Sequence, residues 1–436
     1  MTVCTQTVDL FPACKSRKID VDFDGGEITS DAGLLLLRQV DRRIGLLKEA
    51  GRCLVDDRVR GRVHHGMDQM LRQRVIGLAG GYEDLNDHDS LRHDLLVQTA
   101  VNRDVPLASS PTLCRMENKA NRQVAVDLHK VLVEQFIASF DKPPEELVLD
   151  FDATDNPVHG LQEGRFFHGY YDRYCFLPLY VFCGDQLLAA YLRPSSKDQA
   201  RHAWAILALL VRRFRQEWPD VRIIFRADSG FCRHRMLNWM ERENVEYVVG
   251  IAQNARLKRL SEALMDEAEA AHATENRKVQ LLGEIKYAAK SWKNERRVVV
   301  RAEHGPMGSN PRFVVTNLKE DPEELYRDRY CIRGDMENRI KEQMMLFSTR
   351  TSAQQWWTNQ FRLLLSGLAY VLMERLRALG LKDTELQNAQ CSTIRLKLLK
   401  IGAVITRNTR RICIHLSSTF PRAELFRIVA ARLASG

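Results

Sequence analysis

The segment LVLDFD, residues 147–152, constrains the chain more than any other. It reads as a buried strand, yet it carries two carboxylates. Side chains alternate faces along a strand, so Leu147, Leu149 and Phe151 point one way while Val148, Asp150 and Asp152 point the other. A buried carboxylate without a partner is strongly destabilising or takes up a proton, so these two demand a cation, a donor network or solvent. The fold must bring that partner to the end of this strand.

The segments around it fall into an order. Residues 20–140 read mostly as helices. DAGLLLLRQVDRRIGLL follows a Ser30/Asp31 cap, and MDQMLRQRVIGLAGGYEDL stops at Gly80/Gly81. SSPTLCRMENKANRQVAVDLHKVLVEQFIASF carries Arg115, Lys119 and Arg122 in its early turns, and DKPPEE, residues 141–146, is a linker. After LVLDFD come the runs YCFLPLYVF and QLLAAYLR as a hairpin, then the helix QARHAWAILALLVRRFRQEW, the strand RIIF, the helix HRMLNWMERENV and the strand EYVVGIA. Strand, hairpin, helix, strand, helix, strand is the order of a ribonuclease H-like core that lacks its last helix.

Three β-like runs intervene before that helix, KVQLLGEIKYAA, ERRVVVRAEH and RFVVTNL, and PEELYRDRYCIRGDMENRIKEQMMLF then supplies a helical pattern. The expected fold is α/β, a ribonuclease H-like catalytic core interrupted by a β-rich insertion, with a mainly helical N-terminal DNA-binding domain. Its expected divisions are a helical domain over 1–140, the first part of the core over 145–253, the insertion over 254–322, the last core helices over 323–380 and a basic region over 381–436. The 436 residues suit roughly two to four domains.

Charge points to a polyanion. The net charge is +9, and residues 392–436 hold nine Lys or Arg against Glu424 alone. A basic segment on a balanced body suits nucleic acid, the alternative being a merely solvated tail. No apolar run approaches the ~18 residues of a membrane span, and MTVCTQTVDLFPACKSRK lacks the apolar core of a signal peptide, so a cytoplasmic protein with no membrane contact is expected. The ten cysteines show no CxxC spacing and read as reduced thiols. His64 and His65 are adjacent, and His159 and His168 lack a spaced acid partner, so none reads as a zinc ligand. There is no GxxxxGK[ST] loop, and no nucleotide cofactor is expected.

Three acids sit where chemistry could use them: Asp152 ends the first strand, Asp228 follows RIIF, and Glu337 lies on the helix after the insertion. In a ribonuclease H-like sheet the first and fourth strands are neighbours, so Asp152 and Asp228 can converge while the helix brings Glu337 over them. Three carboxylates can hold two hard cations ~3.5 to 4 Å apart, which stabilise the attacking and leaving oxygens of a phosphoryl transfer. Each acid also has a structural reading. Asp152 could form a strand-end turn, Asp228 could cap a helix, and Glu337 could pair with Lys341 one turn on. Asp150 shares the face of Asp152 and is its rival.

The blocks FDGGEITSDAGLLLLRQVD, DDRVRGRVHH, GYEDLNDHDSLRHD, SSPTLCRMEN, LDFDATDNPVHG, RADSGF, RFVVTNL and YCIRGDMENRIKE resemble, nearly end to end, the DDE transposases of bacterial insertion sequences, most closely the insertion-sequence 1380 group. The last block carries the Y-x2-R-x3-E signature at Tyr330, Arg333 and Glu337. Met344 stands where that signature continues with Lys, and Lys341 is the nearby substitute. The resemblance implies that Asp152, Asp228 and Glu337 form a catalytic triad that binds Mg²⁺ or Mn²⁺, two ions, and activates water and then a 3′ hydroxyl. It favours Asp152 over Asp150 through the D-x-T match, and it gives Tyr330 and Arg333 contact with DNA phosphate.

Within SWKNERRVVV, Trp292 lies among Lys290, Lys293, Arg296 and Arg297. In similar transposases an insertion-domain Trp stacks a flipped base, an interaction worth ~1 to 3 kcal/mol, and core packing is the other reading of this residue. The expected activity is cleavage of double-stranded DNA at the element's terminal inverted repeats and strand transfer into target DNA, by a dimer assembled on DNA. An inactive DNA-binding relative and a stand-alone ribonuclease H-like nuclease are the alternatives.

Overall fold

The computed structural model describes residues 11–435, so the first ten residues of the N-terminal stretch read above lie outside it. At its centre is a mixed sheet with eight principal strands, β1 (Glu146–Ala153), β2 (Leu179–Cys183), β3 (Gln186–Tyr191), β4 (Arg222–Ala227), β5 (Glu246–Ile251), β6 (Val279–Tyr287), β7 (Arg296–Gly305) and β8 (Arg312–Thr316). Their spatial order is β6-β7-β8-β5-β4-β1-β2-β3. The neighbours β1, β4 and β5 run parallel, and all other principal pairs are antiparallel.

The main helices are α1 (Leu34–Ile44), α2 (Leu46–Arg52), α3 (Met67–Gly80), α4 (Ser110–Glu117), α5 (Arg122–Ile137), α6 (Ala203–Glu217), α7 (His234–Arg242), α8 (Glu262–Glu275), α9 (Gly334–Met345), α10 (Trp356–Leu376) and α11 (Ala423–Ala434). α6 carries the chain from the edge strand β3 back to β4 beside β1, and α7 crosses from β4 to β5, parallel neighbours that a tight turn cannot join.

Alternation along the strands assigns the two faces. Leu147, Leu149 and Phe151 of β1 pack with Ile223 and Phe225 of β4, Tyr247 and Val249 of β5, and α6 and α7. On the opposite face Val148 joins Ile224, Val248, Val299 and Val314, and this face carries Asp150 and Asp152. The facing of LVLDFD read from the sequence is the facing observed.

The strands of residues 254–322, the expected β-rich insertion, are added to the edge of the central sheet. β8 pairs with β5, Val315 opposite Val249, and β7 and β6 extend the sheet outward. The edge of an apolar central strand is thereby paired rather than left open. The run YCFLPLYVF, expected as one strand, breaks at Leu177–Pro178. Its first part, Arg173–Phe176, joins a small sheet with Phe166–His168 and Asn156–Pro157.

The basic C-terminal region is folded into the helical part of the molecule. Its ribbon, Ala403–Arg407 with Ile412–Leu416, takes Ile28–Thr29 as a third strand. α11 packs on α1, and one apolar core joins the front helices, α10 and these terminal segments. Arg395 donates to the carbonyls of Ala79 and Met345, at 2.9 Å each, satisfying groups left open at the ends of α3 and α9.

The Ser30/Asp31 cap is not formed. Gly33 precedes α1 without a side-chain cap, and Asp31 is buried, accepting from Lys400 Nζ and Tyr82 Oη at 2.6 Å each. The chain crosses itself at Gly33, where an added Cβ would lie 2.1 Å from the Leu398 carbonyl oxygen. Gly33→Ala is therefore expected to cost about 3 kcal/mol in urea unfolding, whereas Gly402→Ala, whose Cβ would meet nothing within 4 Å, leaves stability nearly unchanged.

Candidate active site

Two acids are brought together by strand pairing. β1 and β4 run in parallel register with Asp150 opposite Arg226 and Phe151 opposite Ala227, so Asp152 at the end of β1 comes beside Asp228, the residue after β4. Asp228 Oδ1 accepts from the Gly230 amide at 2.9 Å and caps the short turn Ser229–Phe231. Capping does not exclude chemistry, because its other oxygen faces Gln199 Nε2 at 3.4 Å.

The third acid arrives on a helix. Pro322–Glu324 leads into a π-helical turn, Leu325–Tyr330, then a 3₁₀ turn, Cys331–Arg333, then α9 with Glu337 exposed in its first turn. Turns of π type are rare and frequent at functional sites. Arg333 reaches back to the sheet, its Nη1 3.4 Å from Asp152 Oδ2. Burial opposes the charge of Arg333, but Asp152, Tyr330, Asp228 and Glu337 outweigh it and hold the guanidinium above its usual range. Burial, with Asp228 and Glu337 adding to it, pushes Asp152 up to about 6 against the pull of Arg333. The three carboxylates therefore share one electrostatic field, with a guanidinium inside it.

Asp150 is not an equivalent candidate. It is buried, and Arg226 grips it through Nε at 2.5 Å and Nη2 at 2.8 Å. Arg226 also donates Nη1 to the Arg329 carbonyl at 2.6 Å, tying the sheet to the segment that leads into α9. Sequence reading missed this partner, although the arginine of RIIFRAD lies on the same strand face as Asp150. Gly250 was missed too. A Cβ there would sit 2.6 Å from Tyr330 Oη and 2.9 Å from the Ser229 nitrogen, so its bare backbone is what lets Tyr330 and the Asp228 turn close together. Lys341 is exposed one turn beyond Glu337, and Met344 packs half-buried against the helical core.

The residues expected from the insertion do not join this group. Trp292 packs edge-on against Tyr287, ring centroids 5.4 Å apart, in the core on the face opposite Asp150 and Asp152. Arg296 lies over that indole at 4.8 Å, is buried, and binds Glu241 at 2.6 and 2.9 Å. Arg297 donates to Glu284 and to the Leu318 carbonyl, at 2.7 and 2.8 Å. Within the chain, Arg296 is thus bound to Glu241 and Trp292, and Trp292 and Arg297 are only half-buried.

Among the described residues, no three His, Cys, Asp or Glu side chains form a ready-made metal cage. The donor set nevertheless suits a hard divalent cation. Asp228 and Glu337 both act electrostatically on Asp152, whose carboxyl is held above its usual range by burial, and Arg333 offsets that in part. The residues fit such an ion once Arg333 yields its place.

A second cationic feature lies in the helical part, a concavity of ≈ 450 Å³ where DDRVRGRVHH, SLRHD and SSPTLCRMEN meet. Arg58, Arg62, His65, Arg92, Arg115 and Lys119 line it. Burial and then Arg103, Arg92, His64 and Arg58 hold His65 below its usual range. Two of its cations have acid partners, Arg58 with Asp56 and Lys119 with Asp57.

Substitutions two residues apart should act oppositely. Asp152 binds its proton more tightly folded than unfolded, so its contribution to stability is present below its ordinary value near 4 and is lost as pH rises through about 6. Asp152→Asn is thus expected to raise metal-free stability at pH 8 by about 2 kcal/mol, with the gain shrinking toward pH 4. Asp150→Asn leaves Arg226 buried without its counter-charge and should cost about 3 to 5 kcal/mol. Urea unfolding in EDTA at both pH values reads both signs.

No curated protein sequence matches the chain. Among solved structures, the piggyBac transposase synaptic complex with hairpin DNA, determined by cryo-electron microscopy, is similar at 10% identity and a TM-score of 0.42 over 85% of this chain and 80% of that one. The family described as transposase DDE domain group 1 matches residues 11–435, and the chain belongs to that family.

Proposed function

We propose that this transposase cuts the ends of its own element from flanking DNA and joins the freed 3′ ends to a target, using Asp152, Asp228 and Glu337 as its catalytic carboxylates. The observation that carries the proposal is the meeting of the ends of β1 and β4 with the first turn of α9 around Arg333. The order β3-β2-β1-β4-β5, with only β1, β4 and β5 parallel, supports reading the centre as a ribonuclease H-like core.

Two divalent ions, Mg²⁺ or Mn²⁺, held by these acids would stabilise charge on the attacking and leaving oxygens. The chain's own groups do the rest. Arg333, now the counter-charge of Asp152, can transfer its fork to a DNA phosphate when the carboxylates gain another cation. Tyr330, held by the bare backbone at Gly250, orients that arginine, and Lys341 adds charge along the exposed side of α9. The concavity at Arg92 and Arg115 is the reading for contact with the terminal inverted repeats, and a dimer on DNA would bring two ends together. No helix among the described residues is long and apolar enough to cross a membrane.

The test uses purified protein and labelled duplexes carrying the element's ends. Discrete cleavage with Mg²⁺, none with EDTA, and at least a 1,000-fold loss in Asp228→Asn, on the scale of a removed electrostatic catalyst, are expected. Specific binding without cleavage would identify an inactive DNA-binding relative. Cutting spread along any duplex would identify a nuclease without end specificity.

Gly250→Ala gives a finer check. Its methyl group must displace Tyr330 or the Asp228 turn, so end cleavage should fall about 10- to 100-fold while duplex binding stays within a few-fold.

A further inference from the structure

The hairpin-like segment RFFHGYYDRY, residues 165–174, plays no part in the chemistry described so far. It leaves the sheet just beyond Asp152, through Asn156–Pro157, and returns through Arg173–Phe176 toward β2, whose Tyr180 stands opposite Asp152. Its ring of Tyr171 lies in the field of Asp152 and Asp155, which add to burial in raising that hydroxyl.

Four large rings on this tongue face solvent: Phe166 is 45% exposed, Phe167 54%, Tyr170 86% and Tyr174 47%. Leaving so much aromatic surface in water within ten residues is unfavourable, and the segment's construction prevents its collapse onto the core. Gly164 has φ +78°, and a Cβ there would lie 2.6 Å from the Trp356 ring. The Glu163 amide donates to the Gln354 carbonyl and the Trp356 amide to Glu163 Oε2, at 3.0 Å each, while Ser195 Oγ donates to the Phe166 carbonyl at 2.9 Å. The base is clamped to the start of α10, and the tip stands off it.

The rings at the tip are also ordered against one another. Tyr170 meets Tyr171 edge-on at 5.0 Å, and Phe167 meets Tyr174 at 5.6 Å. Arg165 lies over Tyr174 at 4.4 Å, and Arg173 approaches Asp155 at 3.9 Å. Aromatic faces interleaved with guanidinium groups, pre-arranged and water-exposed, form the surface on which unpaired nucleobases stack. A paired base in an intact duplex has no free face to offer, so the platform serves only bases that have left the helix.

We propose that the tongue, through Phe167, Tyr170 and Tyr174, stacks unpaired bases of the DNA strand whose phosphate lies at Asp152, Asp228 and Glu337. This rests on the transposase reading above and adds to it a residue set for DNA distortion. The tongue lies on the face of the sheet opposite to that against which Trp292 packs.

The test places 2-aminopurine beside the cleaved bond and compares full-length wild type, a Phe167→Ala/Tyr170→Ala double variant and the ring-preserving Phe167→Tyr. Binding in EDTA should raise 2-aminopurine fluorescence with wild type and Phe167→Tyr but not with the double variant. With Mg²⁺, the double variant should cut paired ends on the order of 10-fold or more slowly and recover on ends carrying mismatches at the same positions, where unpairing is already supplied. Wild-type fluorescence in the double variant, or an equal cleavage defect on paired and mismatched DNA, would overturn the proposal. So would a shift in the sedimentation of the DNA-free protein by the double variant without change in fluorescence, which would make the tongue a protein interface. Fluorescence enhancement without cleavage by wild type would leave the platform standing and remove the transposase reading, whereas neither signal would remove both.

Discussion

The ion pair between Asp150 and Arg226 is the constraint on which the rest of the centre depends. It lies across two parallel strands, on the face that also carries Asp152, where neither charge could stand alone. It joins residues directly opposite in the register of β1 against β4, the same register that sets Asp152 beside Asp228. The remaining nitrogen of Arg226 binds the Arg329 carbonyl, so the same guanidinium docks the segment that carries Tyr330, Arg333 and Glu337. Glu146 reinforces that docking, accepting from Arg222 and Arg329 at 2.8 and 2.5 Å. One buried pair thus positions three carboxylates that never touch it.

Around this lock the site is poised electrostatically. Asp152 is burdened by burial and by two like charges, and Arg333 relieves part of that burden. Such a centre gains from any added cation, and its arginine is then freed toward an anion. Charge is conserved locally while its carriers change, an economy suited to a polyanionic substrate that arrives with its own counter-ions.

Much of this was legible in the sequence where the signal is local. Alternation in LVLDFD gave the facing of both aspartates, and the Gly80/Gly81 stop matches a helix ended by a left-handed Gly81. Signals that depend on remote partners were not legible. Asp31 looks like a helix cap because Asp is a good cap, yet Lys400, hundreds of residues away, claims it. Residues 279–318 read correctly as strands, but nothing local says that β8 will pair with β5. Trp292 sits among lysines and arginines in sequence, while folding packs it against Tyr287 under Arg296, which binds Glu241 on α7. The aromatic run RFFHGYYDRY was visible as composition, but its exposure beside Asp152 follows only from the break at Leu177–Pro178 and the clamp at Trp356.

The interlock of the two ends of the chain has a consequence for biosynthesis. The central sheet is complete once residue 316 has emerged from the ribosome, and α9 soon after. The helical body cannot close at that stage. Its strand Ile28–Thr29 waits for Ala403–Arg407, Asp31 waits for Lys400, and α1 waits for α11. Domains made early in a chain ordinarily fold first. Here the helix α1, near the front of the helical body, is finished only after Lys400, the ribbon strand Ala403–Arg407 and α11 have been made, later than the strands that carry Asp152 and Asp228.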